Sequence, residues 1–325
     1  MFDARSLKQS RPSGPDSVEC PVLACHHQVE RQTKQFVREE RFRCEGHRIY
    51  ISASTFEYED YLDNVLSGDP EDRNLLQHVF KVKREQRFAR ERSEDALTFN
   101  VLRTLEREGV LHDVAPAMSG YHEQNATISY WSLSAQTGEL HAGLADARKT
   151  FGEEDGRGTE PDVIIETDST LLVIEAKLDS AHETKPSKTE VLRTYASAAG
   201  GWYGKVFRSS ADEVARKQKL YQLMRLWLLG TWMADRAGKR FVLVSLTPEA
   251  CEKGISARFG VHIVASEKQQ FVRHTWEQIR EQVQPAAHRC GIARLVEYLD
   301  NKSCGYDGNG RLRLAFARSP RCLPG

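Results

Sequence analysis

Residues 160–180 read EPDVIIETDSTLLVIEAKLDS, and this stretch decides how the rest of the chain is folded. Two apolar, largely β-branched runs, 163–165 and 171–174, flank Thr167-Asp168-Ser169-Thr170, whose composition is that of a turn. Such a pair predicts a hairpin. Neither run alternates with polar residues, so both strands are expected to be covered on both faces, as in the centre of an α/β sheet. Into this interior the chain inserts Asp162, Glu175 and Lys177. Buried charges are costly unless they are paired or bind a metal.

The register follows from the turn. Centring it between Asp168 and Ser169 sets Asp162 opposite Glu175 and Ile164 opposite Val173. Opposed residues of an antiparallel pair project from one face, with Cβ atoms roughly 5 Å apart. Lys177 lies two residues beyond Glu175 and joins that face. Two carboxylates and an ammonium therefore converge at one end of an apolar hairpin, an arrangement suited to a hard cation beside a fixed positive charge. The plainer alternative is a buried ion pair, although such pairs often contribute little stability.

With 325 residues the chain can hold one large domain or two modest ones. Its 40% hydrophobic and 28% charged residues are those of a soluble globular protein. The formal net charge of zero gives no global pull on a polyanion, so only local basic clusters could bind one. The N-terminus lacks the apolar core of a signal peptide. The most apolar helical run, 226–234, is too short to cross a bilayer. Seven cysteines at uneven spacing do not make a secreted disulfide framework, so a reducing cytoplasm is expected and no membrane partner.

Residues 1–18 read as a disordered tail. In the next segment, 19–68, Cys20-x4-Cys25 precedes Cys44-x2-His47, the spacing of two zinc knuckles closing a tetrahedral site. His26 and His27 are alternative ligands, and scattered reduced cysteines are the bland alternative. Residues 69–92 read as a helix whose far end is basic (Lys81, Lys83, Arg84, Arg87, Arg90, Arg92), either a solvated face or one that tracks phosphates. Ser93 caps a second helix carrying Glu94 in its first turn, and Gly109 ends it.

Residues 128–133 predict a strand, and 137–158 a loop or weak helix. After the hairpin, Lys185, Lys188, Arg193, Lys205 and Arg208 surround Gly200-Gly201-Trp202-Tyr203-Gly204. That composition suits either a stacking surface for nucleic acid or a loop packed by its own aromatics. Ser210-x-x-Glu213 is a capping box for a long helix ending at Gly238, and 241–246 is a buried strand, expected to run parallel after the crossover. A strand is expected at 261–264, helices near 275–283 and 290–299, and a basic, mobile tail over 301–325.

Pro161-Asp162 and Glu175-Ala176-Lys177 on a central hairpin, within an order of helix, three strands, helix and strand, resemble the PD-(D/E)xK restriction-endonuclease-like superfamily. The resemblance covers about residues 90–250 and places a nuclease-like domain at 93–300. It implies an α/β fold with an αβββαβ core, a mixed sheet flanked by helices, beside the small N-terminal zinc-binding module. It further implies hydrolysis of DNA phosphodiester bonds with Mg²⁺ held by Asp162, Glu175 and the Ala176 carbonyl, and a 5′-phosphate product. Lys177 would then orient or help deprotonate the attacking water. Glu94 would be an accessory acid, and Gln222 would orient Lys177 or a phosphate oxygen. The reading is an endonuclease of restriction or anti-phage type with structural Zn²⁺ on Cys20, Cys25, Cys44 and His47. DNA is the expected partner, and a homodimer is allowed but not required. The competing reading is a zinc-containing nucleic-acid-binding protein with an inactive nuclease fold. An iron–sulfur enzyme is disfavoured because Cys290, Cys304 and Cys322 are widely spaced.

Overall fold

Val163–Glu166 and Thr170–Ala176 pair antiparallel in the register read from the sequence, Val163 against Ile174 and Ile164 against Val173. Thr167 locks the turn: its amide donates to the Thr170 carbonyl at 2.9 Å and its hydroxyl accepts from the Thr170 amide at 3.0 Å. The computed structural model describes residues 7–8, 14–83, 87–121, 125–153 and 158–316. Arg84 and Glu85 of the basic run, residues 1–6 and 9–13 of the N-terminal stretch, 154–157 of the polar loop, and 317–325 with Cys322 lie outside it. The chain divides into two units, Met1–Asp69 with Glu85–Val110 and Trp276–Gly325, and Pro70–Arg84 with Leu111–Thr275.

The hairpin sits in the second unit, in a six-stranded mixed sheet. Its strands are β1 (Thr127–Tyr130), β2 (Leu133–Ser134), β3 (Val163–Glu166), β4 (Thr170–Ala176), β5 (Arg240–Thr247) and β6 (Gln269–Thr275). Their order across the sheet is β6-β5-β4-β3-β1-β2. β5 pairs parallel with both β4 and β6, while β3 and β1 run antiparallel. All of β4 is buried, and so is β5 after Arg240, as the unbroken apolar runs require.

Among the helices of this unit are α1 (Ala142–Thr150), α2 (Glu190–Val206), α3 (Tyr221–Ala237) and α4 (Ile255–Gly260), beside Pro70–Val82 and Leu111–Ser119. Leu171 and Val173 of β4 and Phe241 and Leu243 of β5 share a core with Met224 and Trp227 of α3 and Phe259 of α4. The α3 backbone comes so close that a Cβ on Gly230 would lie 2.2 Å from the Phe241 ring. Only glycine fits there.

Several expectations are corrected. Residues 128–133 are not one strand: Trp131 and Ser132 take positive φ, 45° and 77°, and turn the chain from β1 into β2. Within 137–158, the helix alternative holds: the chain forms α1, whose first turn is capped when the His141 Nδ1 accepts from the Leu144 amide. The helix expected over 69–92 is Pro70–Val82, so its basic far end is not a continuous helix face. The Gly-rich piece near Trp202 belongs to α2, whose helical turns are broken at 198–201. Trp202 donates to Thr231 Oγ1 at 3.1 Å and Tyr203 is buried, so these aromatics pack inward instead of offering a stacking surface. The Ser210–Glu213 box opens only a short π turn, Glu213–Lys217, because Lys219 at φ 57° breaks the chain before α3. Residues 261–264 form no strand beyond an isolated bridge of Ile263 to Phe207, and the extended segment is β6 instead.

In the first unit, Ser17–Glu19 pairs with Gln28–Glu30, and Arg43–Cys44, Ile49–Ile51 and Phe56–Tyr58 make a three-stranded sheet. Ser93 caps Glu94–Arg107 as expected, accepting from the Ala96 amide at 3.1 Å. The helices Trp276–Val283 and Cys290–Asn301 stand where the periodicity puts them. Ser303–Tyr306 and Leu312–Leu314 form a hairpin where a tail was expected, because Tyr306 and Leu312 are buried with Phe56 and Val18. Among the described residues, no helix is long and apolar enough to cross a membrane.

Two outcomes follow for the second unit. Gly230→Ala should lower stability by about 1–3 kcal/mol through overpacking against Phe241, read from urea unfolding. Glu166, at the end of β3, contacts His141 at 3.0 Å and Lys239 at 2.6 Å, and these partners hold its carboxyl down at about 2 against an ordinary 4.5. A depressed carboxyl stabilises fully above the unfolded value and loses that contribution as pH falls from 4.5 towards 2. The stability difference between wild type and Glu166→Gln should therefore shrink over that window in pH-dependent unfolding.

Candidate active site and Cys/His cluster

The Asp162 carboxylate is half-buried at the entry to β3, and its Oδ2 accepts the Ala176 amide at 2.8 Å. This bond ties the residue before β3 to the last residue of β4, where Glu175 is fully buried. Lys177 follows, with its Nζ 2.5 Å from Glu175 Oε1 and its amide donating to Leu246 of β5. The sequence register thus brings Asp162, Glu175 and Lys177 to one place. Ser245 pairs with Glu175 across β4 and β5, and Arg273 pairs with Ser245 across β5 and β6. A polar row therefore crosses the sheet near the carboxyl ends of three parallel strands, where open α/β sheets commonly bind ligands.

Buried polar contacts hold this row from two sides. Before Asp162, Glu153 accepts from Tyr195 at 2.5 Å, from Thr159 Oγ1 at 2.7 Å and from Arg225 of α3 at 3.1 Å. The Thr159 carbonyl accepts from Arg148 of α1 at 2.8 Å. After Lys177, Thr184 accepts the Gln222 amide at 2.9 Å and donates its own amide to Lys219. The first turn of α3 is thereby bound to the segment leaving β4. The structure ties Gln222 in by its backbone amide. Glu94 opens its helix in the first unit and is not among the residues that the second unit assembles.

His182 was not legible in the sequence. It is fully buried, with Nε2 2.7 Å from Ser245 Oγ. Burial, reinforced by the charges of Lys177 and Arg258, pushes its pKa down to about 3, so the imidazole is neutral at physiological pH. The one sequence signal nearby was Ser245, a polar residue inside the apolar run 241–246.

The first unit carries a second set. Cys20 and Cys25 stand on the turn between its first two strands, where the Cys20 amide bonds the His27 carbonyl and the Cys25 amide bonds that of Val22. Cys44 ends a strand, and the His47 amide reaches back to its carbonyl. The four ligand atoms lie within 4.8 Å of one another. Cys25 and Cys44 sulfurs are 3.8 Å apart, and His47 Nδ1 is 3.6 Å from Cys20 and Cys44 sulfurs. A tetrahedron with Zn–S bonds of about 2.3 Å has edges of about 3.8 Å. The soft donor set and its spacing fit zinc. Burial pushes the Cys20 thiol up, and a bound cation is what would draw out the thiolate. Of the alternative ligands, His26 turns outward to Glu19 at 2.7 Å with a side chain 83% exposed, and His27 is exposed and outside the set.

The family model described as restriction endonuclease associating with ARP matches residues 24–302. The chain belongs to this family. Comparison with curated proteins and with solved structures gives no match. The match in this restriction-endonuclease-associated family takes in the hairpin, α3, and all of the Cys/His cluster except Cys20.

Purified from medium containing zinc, the protein should carry about one zinc per chain by metal analysis. Cys44→Ser should lower that content to near zero and open the Cys20–His47 segment to protease. Full zinc content in the variant would remove Cys44 from the site.

Proposed function

We propose that this chain is a Mg²⁺-dependent nuclease of the PD-(D/E)xK type that cleaves DNA in restriction or anti-phage defence, with a structural zinc module at its N-terminus. One observation carries the reading: in a member of a restriction-endonuclease family, the Ala176–Asp162 bond and the Glu175–Lys177 pair set two carboxylates and an amine together at the end of β4. The carboxylate oxygens of Asp162 and Glu175, with the Ala176 carbonyl, are hard donors and fit Mg²⁺ as the sulfur-rich cluster does not. When bound, Mg²⁺ would supply Lewis acidity for a phosphoryl oxygen and for water.

The chain's own groups would do the rest. Lys177 would hold the attacking water and offset charge building on the phosphorus oxygens. The Glu153, Arg225 and Thr159 contacts would keep the segment entering Asp162 from drifting, since small misplacements cost rate heavily. Gln222 would orient Lys177 or a phosphate oxygen from the first turn of α3. The metal set proposed is drawn from the second unit alone. Lys185, Lys188, Arg193, Lys205 and Arg208 are exposed on the same unit and would meet the DNA backbone. The family description names ARP as an associate, and a partner of that kind is part of this reading.

The test is cleavage of linear and circular DNA with Mg²⁺ or EDTA. Asp162→Ala and Lys177→Ala should each reduce cleavage by about a hundredfold or more while the fold is kept. Cleavage that survives in both variants would sink the assignment. Salt-sensitive DNA binding that ignores Mg²⁺, with no cleavage by wild type, would favour a binding protein on an inactive nuclease fold.

A further inference from the structure

Beyond the carboxylates, the carboxyl ends of β4 and β5 carry hydrogen-bonding groups shut off from solvent without a partner among the described residues. They are Nε and Nη2 of Arg258, Oγ1 of Thr247 and Nδ1 of His182. Thr247 follows Ser245 by two residues on β5 and so faces the same side of the sheet as Glu175 and Lys177. His182 reaches that side through Ser245 at 2.7 Å. Arg273, also on that side, fixes the chain between β5 and α4 by donating Nη2 to the carbonyls of Pro248 at 3.1 Å, Glu249 at 3.0 Å and Cys251 at 2.8 Å. The following helix presents Arg258, close enough for its charge to act on His182, as does that of Lys177.

Leaving guanidinium N–H groups buried without acceptors is expensive, and such groups call for an explanation. These groups share one chemistry. Arg258 and Thr247 are donors, and if the Ser245 hydroxyl donates to Nε2, neutral His182 presents Nδ1–H as a third. Donors grouped with a fixed cation complement a tetrahedral oxyanion. Arg258 as a whole residue is only half-buried, so its side chain links this enclosed group to the surface.

We propose that Arg258, Thr247 and His182 form a receptor for a phosphate of the nucleic-acid substrate, beside Lys177 and separate from the metal carboxylates. This rests on the nuclease reading and names the substrate group that this wall of the site recognises.

Inorganic phosphate is the probe. In EDTA, at ionic strength matched with chloride, phosphate should raise the melting temperature of the full chain. Arg258→Gln should lose that protection and Thr247→Val should weaken it, while Asp162→Ala should keep it. In Mg²⁺-dependent cleavage, Arg258→Gln should raise KM by about tenfold, the loss expected for a charge-assisted hydrogen bond, with a smaller change in kcat. A wild type no more responsive to phosphate than to chloride overturns the receptor, as does equal protection in wild type and both receptor variants. If Arg258→Gln does not fold, Thr247→Val decides. Cleavage by Asp162→Ala at the wild-type rate would break the nuclease reading and leave the phosphate arm to judge the receptor by itself.

Discussion

The hydrogen bond from the Ala176 amide to the Asp162 carboxylate ties the entry of β3 to the exit of β4, and the chemistry of the second unit depends on that tie. Because side chains alternate along a strand, a slip of one residue would turn Glu175 and Lys177 to the opposite face and bring Ile174 and Ala176 in their place. The register is held from both ends. Thr167 locks the turn, and the apolar pairs Ile164–Val173 and Ile165–Leu172 fill the sheet between. A carboxylate buried as fully as Glu175 is tolerable because Lys177 is 2.5 Å away, so the ion pair and the strand register support each other.

Around this tie, structural demands and chemical ones use different residues. The face of β4 and β5 that carries Glu175 and Ser245 at one end carries Leu171, Val173, Phe241 and Leu243 further back, packed on α3 and α4. Close approach at Gly230 seats α3 on that apolar stretch, and the first turn of the same helix is bound to the segment leaving β4. One helix thus both seals the core and borders the polar row. The first unit is built differently, with a small core around Ile49, Ile51 and Phe56 beside four ligand atoms whose spacing fits a zinc tetrahedron.

The places where sequence reading fell short share a cause. Trp202 and Tyr203 sit among glycines and lysines, a composition that suits an exposed stacking surface as well as inward packing, and Thr231 and the α3 core draw both inward. The stretch after residue 301 is basic and looks mobile, but two buried side chains, Tyr306 and Leu312, are enough to fold it into a hairpin. In each case composition allowed an outward reading, and a few long-range contacts outweighed it.

By itself the sequence determined the hairpin, its turn, its register, the parallel strand that follows, and the two ligand pairs of the Cys/His cluster. All of these rest on local patterns: β-branched runs, a two-residue turn and short metal-ligand spacings. Only the tertiary structure decided which residues from elsewhere border the polar row. His182, Arg258 and Arg273 come from segments with no common motif: the parallel pairing of β4, β5 and β6 sets Ser245 and Arg273 in line with Glu175, and His182 joins that row through Ser245. Such neighbours are separated by dozens of residues along the chain, and no local period encodes that distance.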